Sequence, residues 1–114
     1  MSDIITDHID FGESLLIEAN REIELSPENA AYSARFASEC FRLALDMPEY
    51  RKRAEHGMEE AARIISKAYE ADPGGGIREA VERRFVAMNR EADELERDSR
   101  SAVRAALKEH AQLH

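Results

Sequence analysis

Three prolines and one triple glycine divide this chain into four helical lengths. Pro27, Pro48 and Pro73-Gly74-Gly75-Gly76 fall between stretches whose apolar residues recur every three or four positions. Proline lacks the backbone donor a helix needs, and glycine loses the most backbone entropy in one, so both mark helix ends. No stretch alternates in the manner of a strand. The pattern predicts an all-α fold, a bundle of about four helices with a long C-terminal helix. The 114 residues read as a single helical domain.

The first helix is expected over about Phe11 to Leu25, with Gly12, Leu15, Leu16, Ala19 and Ile23 on one face and Ile17 and Leu25 off it. Residues 1–10 are open between an arm and an extension of that helix. The second starts at Ser26, a good N-cap, followed by Pro27 where a missing N–H costs nothing. It runs to about Asp46 and is apolar on most sides, which predicts a central helix with Ala37 and Phe41 deeply buried. Its one charged stripe, Arg35, Glu39, Arg42 and Asp46, can pair with itself. The third spans about Pro48 to Ala71 and forms an antiparallel hairpin with the second through a short link. Gly57 within it costs about 1 kcal/mol against alanine, a cost that close helix contact would offset. The fourth follows Gly76 and is expected to continue as one helix toward the C-terminus, because no proline or glycine interrupts it; the alternative is a break near Asp98-Ser99 that gives a short fifth helix.

Charge narrows the function. The formal net charge is −8, and residues 1–26 hold seven acids against one base. Direct nucleic-acid binding needs cation excess, so it is not expected. No apolar run approaches the roughly 20 residues of a membrane span, and the N-terminal residues lack the basic and apolar regions of a signal peptide. The single cysteine, Cys40, has no partner within the chain, which fits a reducing, cytoplasmic setting.

The chemical motifs are weak. Glu79 and Glu82, then Glu91 and Glu94, are spaced three apart. The all-α nucleotide pyrophosphohydrolases use ExxE followed by ExxD for Mg²⁺, but Glu91-Ala92-Asp93-Glu94 lacks the final Asp, and arginines interleave throughout. His110 and His114 are four apart at the end of the chain, without further ligands beside them. Cys40 lies among apolar neighbours and reads as core. Arg51-Lys52-Arg53 and Arg83-Arg84 have acids beside them and no interleaved aromatics. Gly74-Gly75-Gly76 lacks the Lys-Ser/Thr of a phosphate loop. No catalytic residue, metal site or cofactor is therefore expected, and the chain does not read as an enzyme.

The expected function is a small acidic protein-binding module, an inhibitor or regulator that occupies a partner's basic surface. Immunity proteins, antitoxins and phage anti-defence proteins, some of them nucleic-acid mimics, are of this type. Asp3, Asp7, Asp10, Glu13 and Glu18 are the expected partner-binding residues. The alternative is a homodimeric structural or scaffolding protein with a seam on the fourth helix at Met88, Ala92 and Leu95. A Mg²⁺-dependent nucleotide pyrophosphohydrolase is the third reading.

Overall fold

The computed structural model describes residues 4–113. Four α-helices follow in order: α1 (Ile4–Glu22), α2 (Pro27–Arg42), α3 (Arg51–Glu70) and α4 (Gly76–Leu113). No strand occurs among the described residues, so the all-α fold with a long last helix is as the periodicity predicts. Two compact units divide the chain, Met1–Glu82 and Arg83–His114.

In the first unit α1 and α3 flank α2. Ile23 and Ala31, at neighbouring ends of α1 and α2, meet Ala68 near the end of α3. At the other end Phe41 faces both Gly12 of α1 and Gly57 of α3. So α2 runs antiparallel to its two neighbours, and it is the central helix its composition predicts. Its buried residues are Ala30, Ala31, Ala34, Ala37, Cys40 and Phe41. A wall of alanines lets helices approach closely, and one large ring fills the space that remains. A Cβ on Gly57 would lie 2.5 Å from the Phe41 ring, and one on Gly12 would lie 3.0 Å from it. Close contact thus accounts for the glycine inside α3. A second cluster, built on Ala31, Ala68 and Val81, packs Ile77 and Val81 at the start of α4 into the same unit.

Helix ends follow local chemistry. Ser26 caps α2, its hydroxyl accepting from the Asn29 amide at 3.5 Å, and Pro27 occupies the first turn as expected. The α2–α3 link is longer than its sequence suggests. The helix stops at Arg42 rather than near Asp46, and α3 begins at Arg51 rather than Pro48. Pro48 disfavours helical backbone at Met47, and successive turns bridge the gap, Ala44 donating to the Phe41 carbonyl at 3.0 Å and Met47 to that of Ala44 at 3.1 Å. Residues 4–10 belong to α1, with Ile9 buried in the core; the helix face 9, 12, 16, 19 simply continues backward. Before α4, Asp72 accepts from the amides of Gly74 at 3.3 Å and Ile77 at 3.1 Å. Gly75 takes a φ of 85°, a region that favours glycine. The triple glycine is thus an ordered turn with an aspartate cap.

In the second unit α4 continues unbroken through Asp98 and Ser99, and residues 91–109 are all exposed. Arg100 pairs with Glu96 at 2.6 Å along this helix.

Candidate functional site

Where α1 and α2 diverge at the surface, they leave a groove of about 400 Å³ lined by His8, Phe11, Phe36, Glu39, Cys40 and Leu43. Three apolar side chains shape it. Phe11 and Phe36 meet edge to face with ring centroids 6.0 Å apart, and both Phe11 and Leu43 keep more than half of their surface in solvent, 51% and 59%. Leu43 is the residue after the last of α2 and keeps helical backbone, φ −63° and ψ −23°, so it follows Phe36 and Cys40 along one side of that helix. Cys40 is buried at the groove's inner edge. Desolvation, with the Glu39 carboxylate adding to it, pushes its thiol pKa up. A raised pKa disfavours the thiolate, and the side chain forms part of the apolar lining.

Acids border this surface. Asp7, Phe11, Ser14 and Glu18 follow one line along the outer side of α1 by helical spacing. Asp7, Asp10 and Glu18 are exposed. Asp7 and Glu18 make no ion pair among the described residues, whereas Asp10 and Glu13 face the other way, toward α3. Arg53 donates to both, at 3.2 Å to Asp10. Hydrogen bonding to Glu13, helped by Asp10, raises the Arg53 pKa further. Asp3 lies outside the described residues. One arginine of the 51–53 cluster is thereby engaged within the chain, and Arg51 donates to the Leu45 carbonyl at 3.0 Å.

The α2 charged stripe divides its pairing. Arg42 meets Glu39 at 3.3 Å, but Arg35 pairs with Glu82 of α4. Elsewhere, hydrogen bonding from Arg63, and then from Asn20 of α1, holds the Glu60 carboxyl below its ordinary range against partial desolvation. Asn20 thus ties α1 to α3, donating to Glu60 at 3.5 Å and to the Leu16 carbonyl at 3.1 Å.

On α4, Met88 is half-buried, and Ala92 and Leu95 are exposed. Leu95, Val103 and Leu107 are 69%, 58% and 64% exposed. Among the described residues no three His, Cys, Asp or Glu side chains gather closely enough to hold a metal ion. The side chains of His110 and His114 lie outside those described. No described helix is long and apolar enough to cross a membrane.

Sequence periodicity did not disclose the groove, because it joins residues of two helices and one link. Phe11 marks an expected helix start, and Phe36 and Leu43 fall inside a helix expected to be apolar on most sides. Comparison with protein families, with characterised proteins and with solved structures finds no match for the chain.

Proposed function

We propose that this is a protein-binding module whose working surface is the α1–α2 face. The observation that carries the proposal is the apolar groove bounded by exposed Phe11 and Leu43 beside the exposed acids Asp7 and Glu18, which make no ion pair among the described residues. Small apolar pockets with a polar rim are where interfaces concentrate their affinity, because an anchor side chain is fully desolvated there while charges at the rim orient the approach. An aliphatic or aromatic anchor suits the groove, and lysine or arginine beside it suits the rim. Asp10 and Glu13 contribute to the same negative field while held by Arg53. In this reading the protein acts by occupying a basic partner surface, as an inhibitor or regulator does, and catalyses nothing.

The test compares baits made from the full chain. A partner captured from the native host by the unaltered protein should be lost by Phe11→Ser and by the pair Asp7→Lys and Glu18→Lys, each verified by thermal melting. Association should slow as salt rises, since exposed charges are screened beyond about 8–10 Å at physiological ionic strength. Equal capture by all three proteins would remove the α1–α2 face from consideration.

A specific observation favours a second binding surface. The stretch 91–109 keeps Leu95, Val103 and Leu107 in solvent, which supports the alternative of self-association through α4 with Met88, Ala92 and Leu95 as a seam.

A further inference from the structure

Two faces of the chain are apolar, exposed and opposite in charge. The first is the α1–α2 groove with its acidic border. The second lies on the distal half of α4. Over residues 97–108 the chain carries four bases, Arg97, Arg100, Arg104 and Lys108, against one acid, Asp98. Helical spacing sets Val103 and Leu107 beside Arg100 and Arg104, an aliphatic pair next to a basic pair on adjoining lines of one helix. All four are exposed. Arg104 and Lys108 make no ion pair among the described residues, and Arg100 has only its exposed partner Glu96.

We propose that the occupant of the α1–α2 groove is the distal half of α4 from a second copy of this chain. Val103 and Leu107 seat against Phe11 and Leu43, while Arg100 and Arg104 meet Asp7 and Glu18. The inference names the partner of the face described above and rests on that face being a binding surface. Each copy owns one groove and one such helix, so a dimer in which the two copies exchange these helices makes the same contact twice.

Charge selects this pairing over the other ways two copies could meet. Two α1 faces would bring Asp7 and Glu18 against their own kind. Two α4 helices joined along the seam Met88, Ala92, Leu95, Ser99, Ala102 and Ala106 would place Glu91, Glu96 and Asp98 at the flanking positions, and between residues 88 and 106 no base stands there. Such flanks repel or stay neutral in either orientation. Groove against distal α4 joins acids to bases. An amphipathic helix laid in a groove is also a familiar way to bury one face.

The experiment uses the full chain and two charge-reversed variants, with mass in solution measured by sedimentation and light scattering. One variant carries Asp7→Lys and Glu18→Lys; the other carries Arg100→Glu and Arg104→Glu. The unaltered protein is expected to be a dimer that dissociates as salt rises. Each variant alone should dimerise roughly tenfold or more weakly, because its groove and its α4 now share a sign. Mixed in equal amounts they should recover a dimer containing one of each, since one of its two contacts is then the original acid-to-base pairing and the other is restored with reversed polarity. All substituted positions are exposed, and circular dichroism checks that helix content is kept. A dimer unaffected by the α1 reversals but broken by Leu95→Lys would overturn the proposal in favour of α4 pairing with α4. An unaltered protein that is monomeric at every concentration and at low salt would also overturn it. In that last case capture of a different partner, sensitive to Phe11→Ser, would leave the binding face standing, so the two failures are distinguishable.

Discussion

Phe41 is wholly enclosed while Leu95 is 69% exposed, although both sit in uninterrupted helix. Around Phe41, helix is held by tertiary packing: α2 is flanked on two sides, and its alanines supply contact rather than bulk. Around Leu95 the residues from 91 to 109 are all exposed. There helix rests on the good intrinsic propensities of Ala, Arg, Glu and Leu, on ion pairs one turn apart such as Glu96–Arg100, and on length sufficient to offset nucleation. The two regions share a three-four repeat, so the repeat reports helix and is silent about cover.

The largest effects should fall on the packed region. Phe41→Ala should cost roughly 3–5 kcal/mol, since a ring is removed from a site whose alanine walls cannot collapse by side-chain rotation. Gly57→Ala should destabilise by about 1–2 kcal/mol even though alanine is the better helix former, because its methyl group would meet the ring at 2.5 Å. Chemical denaturation measures both. A Gly57→Ala protein more stable than its parent would mean that the ring moves freely and that the packing contrast is overstated.

A smaller and more local effect is expected on α4. Ala102→Gly should cost about 1 kcal/mol of helix stability, seen as faster amide exchange between residues 95 and 109 at concentrations low enough to separate copies. Protection in α2 should stay unchanged under the same conditions. Parallel loss of protection in both regions would show that they open together and that the division between them has no energetic meaning.

The smallest effect concerns pH. Glu60 has its pKa lowered in the folded chain from an ordinary 4.5. A lowered carboxyl contributes stability above its unfolded value and loses it as pH falls through the folded one. Glu60→Gln should therefore lower the melting point slightly at neutral pH and flatten the acid limb below about pH 4.5. The effect should stay under about 1 kcal/mol, because Arg63 and much of the pair face water. An unchanged acid limb would detach Glu60 from the α1–α3 contact.

What could be read in the sequence was what neighbours along the chain decide. Ser26 and Pro27 announce a helix start, Gly57 announces a close contact, and the absence of proline or glycine after Gly76 announces one long helix. Features that depend on distant residues stayed hidden. Nothing near Arg35 points to Glu82, forty-seven residues on, nor does anything near Asp10 and Glu13 point to Arg53. The groove was illegible for the same reason. Residues 36, 40 and 43 share one helical line of α2 and its cap, and 8 and 11 share one of α1, but which line of one helix meets which line of the other is not decided by either helix alone. The Asp72 cap left a fainter local trace, an aspartate just before Pro-Gly-Gly-Gly, where an Asx-type turn is common.

The ring of Phe41 lies between two glycines on two other helices, and this binds the history of three positions together. A substitution at residue 57 that adds even one carbon is harmful while residue 41 is phenylalanine, and becomes acceptable once that residue is smaller; at residue 12 the fit is tight, 3.0 Å, and its outcome turns on how far the ring gives. The reverse order is open, though it passes through a chain with a void at its centre. Descendants of this sequence should therefore exchange bulk among residues 12, 41 and 57 at nearly constant total volume. Ancestry compared across such descendants should show the change at 41 coming first.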